Sequence, residues 1–76
     1  MSKLPTVTGQ KMLNALQRGG FFVVRTRGSH HRLAHREDPS RRVTVPVHKG
    51  RTLKRGVIES ILEQANWTVE DLLKFL

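Results

Sequence analysis

The feature that most constrains this chain is a change of hydrophobic period along it. Met12, Leu13 and Leu16 recur at helical spacing, residues 21–45 then carry β-branched and aromatic runs, and helical spacing returns at Val57, Ile58, Ile61, Leu62 and Ala65. A sheet in the middle with helices before and after satisfies this pattern. Thr8 can cap a first helix over about Gly9–Arg18, which Gly19-Gly20 stops. Phe21–Arg25, His30–His35 and Arg42–Val45 read as strands. They are parted by a turn over Thr26-Arg27-Gly28-Ser29 and another over Glu37-Asp38-Pro39-Ser40. Pro46 should restrict the third strand to an edge or a strand end. A second helix is expected from about Leu53 to Ala65. Thr68-Val69-Glu70-Asp71 resembles a capping box opening a short last helix with Leu72, Leu73 and Leu76 inside. The expected fold class is α+β: a three-stranded antiparallel sheet, helices on one face, in the order α-β-β-β-α plus a short C-terminal helix.

With 76 residues the chain is long enough for one domain, expected to span 1–76, and the core must be modest. It has no cysteine, which excludes disulfides and thiolate metal sites. No apolar segment approaches the length needed to cross a bilayer, and residues 1–7 carry no apolar h-region. The expectation is a cytoplasmic protein without a membrane partner.

Charge narrows the function. The formal net charge is +8, and it is unevenly placed. Between Arg18 and Arg55 stand eleven Lys or Arg against two acids, Glu37 and Asp38; the flanks carry three basic and four acidic residues. A basic middle on a near-neutral frame suits a polyanion-binding surface, with RNA as the expected partner.

Three segments carry a family resemblance. Gly28-Ser29-His30-His31 follows a strand ending in Val24-Arg25, then comes Val43-Thr44-Val45-Pro46-Val47-His48, then Leu53-Lys54-Arg55-Gly56. In this order and spacing the chain resembles the HicA toxins over nearly its whole length. The resemblance implies a double-stranded-RNA-binding-domain-like fold, cleavage of mRNA, and neutralisation by a HicB-like antitoxin. It differs in having a second histidine, His31, beside the family histidine.

His30 is the candidate catalytic residue. RNA is cleaved when a base activates a ribose 2′-hydroxyl against the adjacent phosphate and an acid protonates the departing 5′-oxygen. Imidazole serves either role because it titrates near neutrality. By strand alternation His30, Arg32 and Ala34 share one face, while His31, Leu33 and His35 share the other. Leu33 is the most apolar member of the strand, so its face should meet the helices and His30 and Arg32 are expected on the open face. Arg25, Arg27, Arg32, Lys49, Arg51, Lys54 and Arg55 are candidate phosphate ligands, the last four near the start of the second helix, whose free N–H groups also favour anions. Gly28 and Ser29 could let an RNA backbone approach closely, although a plain β-turn explains both. No metal site or cofactor is expected, because neighbouring histidines on a strand point to opposite faces and no carboxylate completes a ligand set. Trp67 and the phenylalanines read as buried, which leaves no aromatic platform for bases. The leading reading is an endoribonuclease; the others are an RNA-binding module that cuts nothing and a protein-interaction domain with an acidic partner.

Overall fold

A computed structural model describes residues 3–76. Helix α1 (Gly9–Arg18) leads into strands β1 (Phe21–Arg27), β2 (His30–His35) and β3 (Arg42–Pro46), followed by helices α2 (Arg55–Ala65) and α3 (Val69–Phe75). The strands form one antiparallel sheet in the order β1-β2-β3. The fold is the expected α+β, double-stranded-RNA-binding-domain-like arrangement.

Each helix begins where local chemistry permits. The Thr8 hydroxyl accepts the Lys11 N–H at 3.1 Å, satisfying one orphan donor of α1. Thr68 and Asp71 form a reciprocal capping box at α3, with both bonds in place at 3.1 and 2.9 Å. Helix α2 starts two residues later than the apolar period suggested. Its N-cap is Lys54, whose ammonium has no acceptor with which to cap, and the preceding Leu53 donates its N–H outside the helix, to the Val7 carbonyl at 2.8 Å.

The core lies between the sheet and α1 and α2. Phe21, Leu33, Val43 and Val45 from the sheet meet Met12, Ala15 and Leu16 from α1 and Ile58, Ile61 and Ala65 from α2, with Leu72 of α3 closing one end. Burying these side chains supplies the main driving force, about 1.5–3 kcal/mol for each large one before chain entropy is set against it. Trp67 stacks on Phe75, with ring centroids 5.3 Å apart, and lies so near Gly19 that a Cβ there would come within 2.2 Å of the indole. The edge strand β3 is partly covered: the Gln64 side-chain carbonyl of α2 accepts the Thr44 N–H at 2.9 Å.

Candidate active site

The face of the sheet turned away from the core carries the chemistry-bearing residues. His31 and Leu33 lie opposite Val45 and Val43 of β3, and both valines are buried in the core. Alternation along β2 therefore sends His30 and Arg32 outward, and both are exposed. Ala34 shares that parity yet is buried. Its one-carbon side chain sits between the larger cross-strand neighbours Phe22 and Arg42, which shield it.

Strand β1 reaches the same face by an irregularity. Val23 pairs with Leu33, but the next pair is Arg25 with Arg32, so Val24 is an extra residue, a β-bulge. Strict alternation from the buried Phe21 would turn Arg25 and Arg27 toward the helices. The bulge reverses the parity, and Arg25 and Arg27 join Arg32 and His30 outside.

The result is an ordered array. Arg25, Arg32 and Thr44 form one row across the three strands; Arg27, His30 and Pro46 form the next. Arg25, Arg27, His30, Arg32 and Thr44 together line a shallow depression of about 180 Å³. Among the described residues, none of the three arginines makes a side-chain hydrogen bond or an ion pair. Arg25 and Arg32 stand directly opposite each other, and like charges in that position destabilise a sheet.

Gly28 and Ser29 are the two-residue loop of the β1–β2 hairpin; β1 runs two residues further than sequence signals indicated. Gly28 has φ +58° and Ser29 does not have positive φ, the pattern of a II′ turn. The space around Gly28 is open, so it is the backbone conformation that calls for glycine there. The Ser29 carbonyl receives the Val47 N–H at 2.7 Å, fastening the end of β3 to the hairpin turn. It also lies 3.3 Å from His31 Nδ1. His31 is half-buried on the helix side, between Thr26 and Val45. His35 sits edge-on to Phe21 with centroids 4.9 Å apart, and its Nδ1 accepts the Glu37 N–H. The two neighbouring histidines are thus in packing and hydrogen-bonding positions, whereas His30 is open.

The second basic group is separate. Lys49, Arg51, Lys54 and Arg55 are exposed on the β3–α2 connection and the start of α2, outside the depression. Arg55 is 3.9 Å from Glu59 in an exposed i,i+4 pair and lines another groove with Leu53 and Ile58. The first turn of α2 has no acidic residue and no side-chain cap, so its leading N–H groups are left without a side-chain acceptor. Among the described residues no group of three His, Asp or Glu side chains gathers as a metal cluster.

Two residues on the open face escaped the sequence reading. Thr44 lines the depression, signalled only by its alternation with Val43 and Val45. Phe22, expected in the core, is 39% exposed. Its neighbour Phe21 takes the core position, and adjacent side chains of a strand point to opposite faces, so only one of the two can enter the core.

The fold and this face define a small basic α+β domain with an exposed histidine among arginines that have no side-chain partner among the described residues. The family described as HicA toxin of bacterial toxin-antitoxin matches residues 9–67, and the chain belongs to that family. None of the curated proteins compared matches the chain. No helix among the described residues is long and apolar enough to cross a membrane.

Proposed function

We propose that this toxin-family protein is an endoribonuclease that cuts mRNA, with His30 as its general acid–base residue. The observation that carries the reading is the open imidazole of His30 set among Arg25, Arg27 and Arg32, three cations without protein partners among the described residues. A fold that keeps two arginines in direct cross-strand opposition gains from an anion that bridges them, and a phosphodiester fits. In the reaction, His30 takes the proton of a ribose 2′-hydroxyl as its oxygen bonds to the adjacent phosphorus. The bond from phosphorus to the 5′-oxygen breaks, and the leaving oxygen takes a proton from the imidazolium or from water. The arginines hold the phosphate and offset the negative charge that grows on its oxygens. Gly28 and Ser29 keep the hairpin turn low beside the imidazole. Lys49, Arg51, Lys54 and Arg55 extend the electropositive surface along the bound strand.

The partner this reading calls for is a HicB-like antitoxin with an acidic surface. Covering the depression would occlude His30 and neutralise its arginines together. The whole chain, 1–76, would act as one domain in the cytoplasm, where its mRNA substrate lies.

The deciding experiment compares His30→Ala with His31→Ala on a labelled RNA, in the presence of a chelator. His30→Ala should lower the cleavage rate about a hundredfold to ten-thousandfold while folding and RNA affinity stay near wild type. His31→Ala should keep the chemistry and lower the melting temperature, since that ring is packed. The opposite pattern would exchange the two histidines' roles. RNA binding without cleavage by the wild type would replace the enzyme with a binding module.

A further inference from the structure

The open face continues beyond the arginines. Along β1 and β2 the next cross-strand row is Phe22, Ala34 and Arg42. Phe22 is 39% exposed and Val24, the bulge residue, 43% exposed. These two are the large apolar side chains that the described sheet leaves open. Phe22 has the parity of Ala34, hence of Arg32 and His30, and so stands on the face that carries the depression. From His30 to Ala34 is four residues of strand, about 13 Å at the usual rise per residue. The Phe22 ring therefore lies within the span of a short extended oligonucleotide whose phosphate sits among the arginines.

Its surroundings suit a flat ligand. Ala34, directly across from Phe22, contributes only a methyl group that is itself covered, while the Phe22 side chain keeps 39% of its surface open. Phe22 belongs to none of the packed aromatic pairs; Phe21, Trp67, Phe75 and His35 share those among themselves. An unstacked phenyl ring next to a row of unpaired arginines has both elements of single-strand recognition, a cationic track for the backbone and a π-face for a base. A duplex cannot use the ring, because its bases are stacked inside and it presents phosphates and 2′-hydroxyls instead.

We propose that Phe22 is a base-stacking residue that makes single-stranded RNA, held a short distance from His30 along the strands, the substrate form this site takes. The inference rests on the reading of the open face as an RNA site. It adds the strandedness of the substrate and the residue that senses it.

The test is equilibrium binding of a short labelled single-stranded RNA and of the corresponding blunt duplex, for wild type and for Phe22→Leu, Phe22→Ala and Phe22→Tyr. The leucine variant keeps an apolar side chain, so it remains informative should alanine impair folding; melting curves check each protein. Losing one stacked base should weaken single-strand binding by on the order of 5- to 150-fold in the leucine and alanine variants. The tyrosine variant should bind like wild type. Duplex affinity should not change, and the salt slope should not change, since every cation stays in place. The proposal is overturned if single-strand affinity is unaffected, if the duplex weakens equally, or if tyrosine fails to restore binding. It is also overturned if the variants bind RNA normally and lose only the antitoxin, which would make Phe22 part of a protein interface. The test measures binding, so an inactive His30 mechanism leaves it standing, whereas a wild type that binds no RNA removes both readings.

Discussion

Two sets of arginines in this small protein differ in what their guanidinium groups touch. Arg18, Arg41 and Arg42 each donate to a backbone carbonyl: Phe75 at 2.8 Å, Ala65, and Pro39 at 2.9 Å respectively. Arg41 also lies over the Phe21 ring, 5.5 Å from its centroid. These arginines close helix ends and turns. Arg25, Arg27 and Arg32 project from the open face and make no such bond among the described residues. The net charge of +8 counts both sets alike. What distinguishes a binding cation from a structural one is whether its donors already have partners.

Replacing the open set should produce the larger effect. With Arg25, Arg27 and Arg32 all changed to alanine, the slope of log affinity against log salt should flatten by about 2–3, roughly 0.7–0.9 for each phosphate that no longer meets a cation. Folding stability without RNA should hold or rise, because the opposed Arg25–Arg32 pair is removed. Binding isotherms at several salt concentrations, together with thermal melts, check both parts. A triple variant with an unchanged slope would erase the distinction between the two sets.

The structural set should show the reverse pattern. The Ala65 carbonyl is at the last turn of α2, where carbonyls lack helical partners and the helix dipole favours a cation. Arg41→Met keeps much of the packing on Phe21 and removes the donor. It should cost about 1.5–3 kcal/mol, the usual worth of a hydrogen bond involving a charged group, and lower the melting temperature by roughly 6–24 °C in a domain of this size. RNA affinity and salt slope should stay close to wild type. If Arg41→Met weakens RNA binding as much as the triple variant at equal stability, Arg41 belongs with the binding set.

The elements and the open face of β2 were legible in the sequence; the division between the two arginine sets was not. The switch from helical to β-type spacing located every element to within a few residues, and Leu33 oriented β2 well enough to put His30 and Arg32 outside. The HicA-like segments around Gly28 and Pro46 marked the hairpin mouth. What escaped was non-local. The bulge at Val24, which turns Arg25 and Arg27 outward, leaves no signature in a run of Val-Val-Arg, because it depends on the pairing with β2. Phe22 and Phe21 are chemically the same, and only the register with His35 and Ala34 decides which is buried. The partners of Arg18 and Arg41 lie 57 and 24 residues away, beyond any local pattern.

The smallest predicted effect concerns the acid at the structural end. Asp38, in the β2–β3 turn, accepts the Ser40 hydroxyl at 2.5 Å and the Ser40 N–H at 3.2 Å. Those two bonds, the hydroxyl foremost, hold its carboxyl below the ordinary 3.8, with Arg41 adding to the shift. A carboxyl whose pKa is lower when folded adds stability while it is ionised, so its contribution is full above 3.8 and fades as pH falls through the lowered value. The D38N variant keeps an oxygen for the turn but has no charge to titrate. Wild type should therefore lose slightly more stability than D38N as acid is added below pH 3.8, and the gap should shrink in high salt because the turn is exposed. Thermal melts of both proteins across that range measure the difference. RNA affinity at neutral pH should be the same for both, since Asp38 lies at the end of β2 away from His30. An RNA affinity that rises in D38N would mean that this turn reaches the bound strand, and the boundary between the two arginine sets would have to move toward Arg41 and Arg42.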